Sequence, residues 1–440
     1  MTDKQLWGAE TTKAVANFPI SGETVPVSVV RWLARVKGAA ALVNGELGLL
    51  PKATAARIAK GAAEIAAGKH DAQFPIDVFQ TGSGTSTNMN ANEVIAALAG
   101  GKVHANDHVN MGQSSNDVFP SAVHLAALDV AQNELLPALK QLERAFARKA
   151  KGFHNVVKSG RTHLMDAVPV TLGQEFAGYA AQLALAQERV RAALEHVGQI
   201  PLGGTATGTG LNTHPKFAER VRARLKKESG LKQIAAPFDP FEAQANRDAL
   251  VELSGALKVI AVSLTKIAGD LALMGSGPRA GIGEIRLPEL QKGSSIMPGK
   301  VNPVIPEVVL QVSAQVIGND TAITIGGMQG QFELNVRIPL IARNLLQSLH
   351  LLAATSRVFA EKCVDGIEVN RAGTDASAGA TLAAATALNG AIGYDKAAVI
   401  VKRATDSGRP LREIALEEGV DAKLYDATID LRKIARGNQG

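Results

Sequence analysis

Apolar residues recur at helical spacing along most of the chain. In the clearest pattern, leucines and isoleucines are separated alternately by three and four residues: Leu250, Leu253, Leu257, Ile260, Leu264, Ile267 and Leu271. Such a row is typical of a coiled-coil-like seam. Charged residues interrupt the same stretch, which excludes a membrane span. The seam is therefore expected to be buried against other helices, of this chain or of neighbouring chains.

Helical patterns are also predicted on both sides of the seam, at residues 27–47, 53–67, 133–151, 171–197, 308–317 and 341–359. A further helix is predicted to begin between Asn88 and Asn92, and another to follow Asn116. Together they indicate a bundle whose apolar outer face needs partners to cover it. Aromatic residues make up only 4% of the chain and alanine is abundant, so a mainly α fold is predicted.

The length of 440 residues predicts two or three domains. Residues 1–112 are predicted to form an N-terminal α domain and residues 113–364 a central helical-bundle domain. A small C-terminal domain is expected at residues 365–440, where glycine, short helices and charge become more frequent.

Composition argues against several classes of function. The net charge of +6 is modest, and basic residues are interleaved with acidic ones, so nucleic acid is not an expected partner. The single cysteine, Cys363, excludes an intrachain disulfide and a multi-thiolate metal site, and a core position is its simpler explanation. No uncharged apolar run of about 18 residues, the length of a membrane span, occurs. No apolar run follows the lysine near the N-terminus either, so a cytoplasmic protein is expected.

The stretch 293–307, GSSIMPGKVNPVIPE, is the strongest candidate for chemistry. Its glycines and prolines disfavour a regular helix and leave backbone N–H groups free to bind a ligand. Ser294 and Ser295 add hydroxyl groups, Asn302 an amide and Lys300 a positive charge, a set that suits a carboxylate. A surface linker is the alternative interpretation of such a run.

Two nucleotide-binding motifs are excluded by spacing. Five residues, not four, separate Gly293 from the Gly-Lys pair, and Val301 stands where a phosphate-binding loop has serine or threonine. The glycine runs at residues 82–84 and 203–210 do not match the dinucleotide fingerprint either. No nucleotide cofactor is expected.

Two more polar segments precede predicted helices. TGSGTSTNMNANE follows Gln80, and QSSN occupies residues 113–116. Free N–H groups at a helix N-terminus attract an anion, so these segments could hold carboxylate oxygens. The alternative is an elaborate N-cap, because Ser, Thr and Asn are the residues of which caps are made.

Histidines mark two further segments. His104 and His108 are four residues apart, as metal ligands on a helix can be, but Asn106 and Asp107 favour a turn and no third ligand is suitably spaced. No metal is therefore expected.

In GRTHLMDAVPVTLGQEF, at residues 160–176, His163 is a candidate acid or base because the ordinary pKa of histidine is about 6.5. A structural histidine is the commoner alternative. Residues 203–215, GGTATGTGLNTHP, are predicted to form a flexible loop.

These segments, in this order between long helices, resemble the fumarase/aspartase superfamily, and most closely the class II fumarate hydratases. GSSIMPGKVNPVIPE resembles the defining loop of the superfamily. TGSGTSTNMNANEV, VHANDHVNMGQSSND, GRTHLMDAVPVTLGQEF and GGTATGTGLNTHP are similar to fumarase segments in the same order. The resemblance spans nearly the whole chain and implies a mainly α, three-domain fold with a central long-helix bundle.

The nearest alternative in that superfamily is aspartate ammonia-lyase. Aspartases usually carry Gln, Thr and Ala where this chain has His163, Ser115 and Gly204, so all three positions favour the hydratase. The resemblance thus implies reversible anti elimination of water from (S)-malate to give fumarate, a step of the tricarboxylic acid cycle, without a cofactor.

The resemblance also implies roles for individual residues. Ser294 is expected to be the base, with Lys300 and Asn302 holding the carboxylate that gains charge. His163, hydrogen-bonded to Glu307, is expected to act as the acid. The expected substrate binders are Ser83, Thr85, Ser114, Ser115, Asn116 and Thr162. In this family three polar regions from three different subunits meet in each site of a homotetramer, so shared active sites are expected here.

Some positions depart from the family pattern. Fumarases with a second dicarboxylate site carry a basic residue and a proline where this chain has Gly101 and Ala105. These departures argue against such a site, whose candidates here are His104, Asn106 and Asp107. Met165 replaces a usual glutamine near His163, which would alter the polar surroundings of that imidazole.

Two other classes of function compete with an enzyme. A catalytically silent structural protein, as some relatives in eye lenses are, is disfavoured because Ser294, Lys300, Asn302 and His163 are all present. A module that binds dicarboxylates without turnover can be distinguished only by kinetics.

Overall fold

A computed structural model describes residues 5–437 and is mainly α-helical. Its longer helices are α2 (Val27–Glu46), α3 (Lys52–Ala66), α4 (Thr85–Ala99), α5 (Ser115–Val130), α6 (Leu136–Gly152), α7 (Leu172–Val197), α8 (Phe217–Ser229), α10 (Asp248–Met274), α11 (Val304–Gly327), α12 (Ile338–Lys362) and α15 (Tyr394–Ser407). Shorter ones are α1 (Ala9–Asn17), α9 (Pro240–Ala245), α13 (Arg371–Ala380), α14 (Asn389–Ile392), α16 (Leu411–Glu417), α17 (Ala422–Thr428) and α18 (Leu431–Arg436). The strands β1 (Val157–Thr162) and β2 (Met165–Thr171) form an antiparallel hairpin, and β3 (Ile285–Arg286) pairs with β4 (Glu368–Val369).

The chain divides into two compact units, each assembled from separate stretches of sequence. Unit 1 contains residues up to 137, 186–261 and 312–354, whereas unit 2 contains 138–185, 262–311 and residues from 355 onward. The predicted division into domains 1–112, 113–364 and 365–440 stays a prediction.

Small residues let the helices of unit 1 approach closely. In α2, Gly38 and Gly45 face the alanines of α3, where an added Cβ would lie 3.2 and 3.0 Å from the Cβ atoms of Ala62 and Ala55. The α2 helix also packs on α5 and α8. Because the apolar positions of α2 are almost fully covered, any polar residue among them is buried as well.

The leucine–isoleucine seam of α10 is confirmed as a buried row, with every member at most 1% exposed. Polar contacts add specificity to this packing in unit 1. Ser254 on α10 donates to Asp320 on α11 at 2.7 Å, and Asn319 on α11 donates to Ser348 on α12 at 3.0 Å. Buried polar groups need such partners, so the contacts fix the register of the three helices.

In unit 2 the β1–β2 hairpin packs against α13 and α18. A separate apolar cluster near the C-terminus comprises Ala385, Leu388, Ile400, Ala404, Leu411, Ile414, Ala415, Val420 and Tyr425. Cys363 is buried, as expected for a core residue, and burial raises the pKa of its thiol to about 12. Among residues 5–437, no helix combines the length and the hydrophobicity that a membrane span requires.

Three elements differ from the sequence prediction. The α4 helix begins at Thr85, earlier than residues 88–92, because Gly84 adopts the left-handed conformation and ends the preceding turn. The α11 helix extends well beyond 308–317 in both directions. A proline costs little in the first turn of a helix, where its missing N–H has no partner, so Pro306 does not delay the start. The β1–β2 hairpin was not predicted.

Candidate active site

Apart from the candidates for a second dicarboxylate site, the predicted site residues fall into two groups, one in each unit. In unit 1 they lie at the N-termini of α4 and α5, and we call Ser83, Thr85, Ser114, Ser115 and Asn116 the serine–asparagine patch. In unit 2 they lie at the tip of the β1–β2 hairpin, in the loop at 293–303, called the Ser294 loop, and at the start of α11.

The N-terminus of α4 lies directly against α5. Gly84, at φ +76°, is so close to Phe119 of α5 that an added Cβ would sit 2.2 Å from the Phe119 ring. Only glycine therefore fits at this position. Beside it, the hydroxyl groups of Ser83 and Thr85 are 2.8 Å apart. The structure thus brings Ser83 and Thr85 next to the helix that carries the other members of the patch.

The N-terminus of α5 is fixed by its own side chains. Ser114 accepts a hydrogen bond from the Asn116 N–H at 3.2 Å, and Asp117 accepts one from the Ser114 N–H at 2.8 Å. Ser115 Oγ accepts from Asn88 of α4 at 3.0 Å, which joins the first turns of the two helices. Two helix N-termini side by side favour an anion, because both present partial positive charge and N–H donors.

Asp117 connects this patch to the predicted glycine-rich loop. Its buried carboxylate accepts hydrogen bonds from the backbone N–H groups of Gly203 at 2.9 Å and Thr205 at 3.1 Å. Burial raises the pKa of Asp117 to about 6, while these hydrogen bonds and the charge of Lys37 act in the opposite direction. Asn116 donates to Ala206 O at 2.9 Å, so loop and patch are held together at several points.

The hairpin tip presents His163 on a strained turn. Thr162 pairs with Met165 across a two-residue turn in which His163 has φ 57° and Leu164 has φ 63°. Two positive φ values are what a tight hairpin turn needs, but histidine tolerates them better than leucine does. Thr162 and His163 are both exposed. The tip therefore holds the imidazole away from the body of the hairpin.

The Ser294 loop is non-helical, as predicted, and closed by internal hydrogen bonds. The Gly293 N–H donates to Lys300 O at 2.9 Å, and Asn302 donates to Gly293 O at 2.8 Å. Ser294 Oγ accepts hydrogen bonds from the N–H groups of Ile296 at 3.2 Å and Met297 at 3.0 Å. Donors aimed at a hydroxyl oxygen stabilise its deprotonated form, which is the form that can take up a proton.

Glu307 lies in the first turn of α11 and is exposed. Within residues 5–437 of one chain, no hydrogen bond or ion pair joins Glu307 to His163. The predicted pairing of the two side chains stays a prediction.

The candidates for a second dicarboxylate site lie in a single turn. Residues Ala105–Val109 form a π-helical turn, in which His104 Nδ1 accepts from the Asp107 N–H at 3.1 Å. His108 Nδ1 accepts from the His104 N–H at 2.9 Å, so both imidazoles are engaged with the backbone of the turn. Among the residues that the structure describes, no group of three or more histidine, cysteine or carboxylate side chains could hold a metal ion.

The sequence did not reveal Lys37, Asn88 and Asp117 as residues that support the patch. One signal was available for Lys37. Lys37 lies on the face of α2 that carries Leu33 and Ala40, where the helical pattern predicts an apolar residue. A lysine at such a position is buried or belongs to a polar cluster.

Comparisons with known proteins show which family has this sequence. Residues 1–318 match the family model described as Lyase, and residues 385–436 match the one described as Fumarase C C-terminus. Fumarate hydratase class II of Corynebacterium glutamicum is 57% identical over 98% of this chain and 92% of that protein. Fumarate hydratase class II of Mycobacterium tuberculosis is 54% identical over 99% of this chain and 94% of that protein.

Solved structures show the same fold. Recombinant class II fumarase from Schistosoma mansoni superposes with a TM-score of 0.97 at 37% identity, covering 100% of this chain and 97% of that one. Fumarate lyase:delta crystallin from Brucella melitensis in native form gives a TM-score of 0.90 at 45% identity, covering 98% and 97%.

These relatives confirm the predicted fold class and favour the hydratase over the ammonia-lyase prediction. The chain belongs to the class II fumarate hydratases of the fumarase/aspartase superfamily, and it is a lyase of the fumarate hydratase type.

Proposed function

We propose that this fumarate hydratase interconverts (S)-malate and fumarate with Ser294 as the base, as one step of the tricarboxylic acid cycle in the cytoplasm. One observation carries the assignment of the base. Ser294 Oγ accepts two backbone hydrogen bonds within its loop, so its alkoxide form has donors already in place.

In the elimination direction, Ser294 Oγ takes the proton from C3 of malate. The electron pair of that C–H bond moves into the adjacent carboxylate and produces a dianionic enediolate, which is very unfavourable without fixed donors. Lys300 and Asn302 lie at the end of the same loop and are the groups proposed to stabilise this charge. Asn302 spends one donor on Gly293 O, which orients the amide and leaves a second N–H for the ligand.

Collapse of the enediolate forms the C2–C3 double bond and breaks the C2–O bond. The departing hydroxide needs a proton to leave as water, and His163, paired with Glu307, is the proposed donor. The exposed position of His163 at a stiff hairpin tip supports this role, because it presents the imidazole beyond its own strand.

The carboxylates of the substrate are proposed to bind through the serine–asparagine patch and Thr162. The paired N-termini of α4 and α5 favour an anion, and their hydroxyl and amide groups can donate to carboxylate oxygens. Binding here would orient the diacid while the Ser294 loop performs the chemistry.

A homotetramer with shared active sites is proposed as the working form. Large apolar side chains are exposed near His163 and Ser294: Met165 at 69% and Ile296 at 83%. Phe332, at 87%, and Met328, at 77%, are also exposed. Such residues suit burial by further copies of the chain. Light scattering after size-exclusion chromatography tests this, since a fully active monomer would contradict it.

The function is tested by incubating the full-length chain with fumarate and following the fall in absorbance. We expect absorbance to fall at the same rate with and without ammonium, with malate as the product. Formation of aspartate only when ammonium is present would instead identify an ammonia-lyase, and no change under either condition would refute the proposed activity.

A further inference from the structure

Lys37 is a buried cation whose direct hydrogen-bond partners are neutral amides. Its side chain on α2 is 0% exposed, and its ammonium donates to Asn110 Oδ1 and Gln113 Oε1, both at 3.2 Å. Within residues 5–437, no carboxylate lies at ion-pair distance from it. Burying an ammonium group between neutral amides is costly. A position that keeps a lysine at this cost needs an explanation beyond packing.

The hydrogen bonds of Lys37 lead to the substrate patch. Asn110 Oδ1 also accepts from Asn88 Nδ2 at 3.2 Å, and the same Asn88 nitrogen donates to Ser115 Oγ at 3.0 Å. Both hydrogens of the Asn88 amide are thereby used. Because Ser115 Oγ accepts one of them, its own hydrogen is free to point outward and donate to a ligand.

We propose that Lys37 is a positioning residue for the C4 dicarboxylate, and that its buried positive charge acts through Asn110 and Asn88 to hold the Ser115 hydroxyl as a donor to a substrate carboxylate. The inference rests on the proposed function and deepens it by naming the charge beneath the binding patch. In the chain without substrate, the charge of Asp117 acts on Lys37 from beyond ion-pair distance, and a substrate dianion adds to this negative charge. In a site of low dielectric constant, such a fixed charge favours a dianion over its neutral analogue.

The proposal predicts a characteristic pH dependence. Burial lowers the pKa of Lys37 to about 7, while Asp117 on α5 acts to raise it. A bound dianion stabilises the protonated lysine and raises its pKa, so binding takes up a proton above about pH 7 and affinity falls as the pH rises. The amides of Asn110, Gln113 and Asn88 around it do not titrate. Other charged groups on α2 are in partly exposed ion pairs: Arg31 with Asp71, Arg35 with Asp129, and Glu46 with Arg224.

Lys37→Met tests the proposal, because methionine is unbranched and similar in length but carries no charge. Succinate, an unreactive C4 dicarboxylate, is titrated calorimetrically into the full-length chain, and fumarate kinetics are measured alongside. We expect the succinate Kd and the fumarate KM to rise roughly ten- to hundredfold, as for the loss of a charge-assisted hydrogen bond. The kcat at saturation should stay within about threefold. The loss of affinity above about pH 7 should disappear.

Asn44→Leu is the matched control. Asn44 lies seven residues further along the same face of α2, is buried, and donates to Met111 O at 3.0 Å, so it holds the same segment without a charge. We expect its Kd, KM and pH dependence to match those of the original chain. An equal loss of affinity in Asn44→Leu would show that Lys37 acts only by packing and would overturn the proposal.

Gln113→Glu provides a second variant if Lys37→Met does not fold. It places a carboxylate beside the ammonium, neutralises it, and should weaken succinate binding and flatten its pH dependence in the same way. Unchanged succinate affinity in either folded variant would overturn the proposal, as would the failure of the original chain to bind succinate. Binding of succinate without hydration of fumarate would refute the proposed function but leave the role of Lys37 supported by the same titrations.

Discussion

The serine–asparagine patch of unit 1 and the Ser294 loop of unit 2 are built in different ways. The patch sits on two long helices and is supported by buried groups, Lys37, Asn88 and Asp117. The Ser294 loop carries few buried groups, and its shape depends on five hydrogen bonds within the loop. A preformed patch is suited to binding, whereas an exposed loop can adjust around a reacting substrate. The difference suits the proposed roles, in which the patch binds one substrate carboxylate and the Ser294 loop carries the base together with Lys300 and Asn302.

The largest expected effect is a loss of turnover when Ser294, the proposed base, is removed. Ser294→Ala should lower kcat for fumarate hydration by about a hundredfold or more, because the base is removed. Succinate affinity should change little, since the patch, Lys300 and Asn302 are all intact. Steady-state absorbance kinetics and calorimetry measure the two quantities. Ser295→Ala, at the neighbouring exposed hydroxyl, is the control and should retain nearly full turnover. Near-normal turnover in Ser294→Ala would remove Ser294 as the base.

A smaller but specific effect is expected at the hairpin tip. His163→Asn should lower kcat at least roughly tenfold, because asparagine cannot supply the proton. Asparagine tolerates positive φ, so the turn at His163 should keep its shape. The pH–rate profile should lose the limb that reports the acid. His154→Asn, at another exposed histidine of unit 2, should leave the profile unchanged. If His163→Asn also left it unchanged, His163 would not be the acid.

The smallest effect concerns strain at the same turn. Leu164 has φ 63° and gains little from burial within its own chain, so Leu164→Asn should stabilise the fold by about 1 kcal/mol. Thermal unfolding measures the change. Met165→Asn, also exposed but on the adjoining strand, should not stabilise. A fall in stability for Leu164→Asn would show that another chain covers this leucine.

The sequence predicted the fold best where a single hydrophobic periodicity ran through a whole segment. The row from Leu250 to Leu271 predicted a buried helix because three- and four-residue spacing has no other common cause. The β1–β2 hairpin escaped prediction because Gly160 and Pro169 disfavour strands and the turn lacks glycine or asparagine.

For the candidate site, the motifs predicted which segments carry the polar groups but not what supports them. Ser115 belongs to a recognisable segment, yet its hydrogen bond from Asn88 joins residues 27 positions apart. Lys37 is further still from the patch in sequence, and nothing in the local pattern around it specifies Asn110 as its partner. Such contacts are made by the fold, so they could not be predicted from spacing.

The most direct test is a crystal structure of the Ser294→Ala variant with (S)-malate. If Ser294 is the base and the sites are shared, malate should bind with C3 beside residue 294, one carboxylate near Lys300 and Asn302, and the other on the serine–asparagine patch of a neighbouring subunit. The Ser115 hydroxyl should donate to that second carboxylate. Malate bound away from residue 294, Lys300 and His163 would refute these roles.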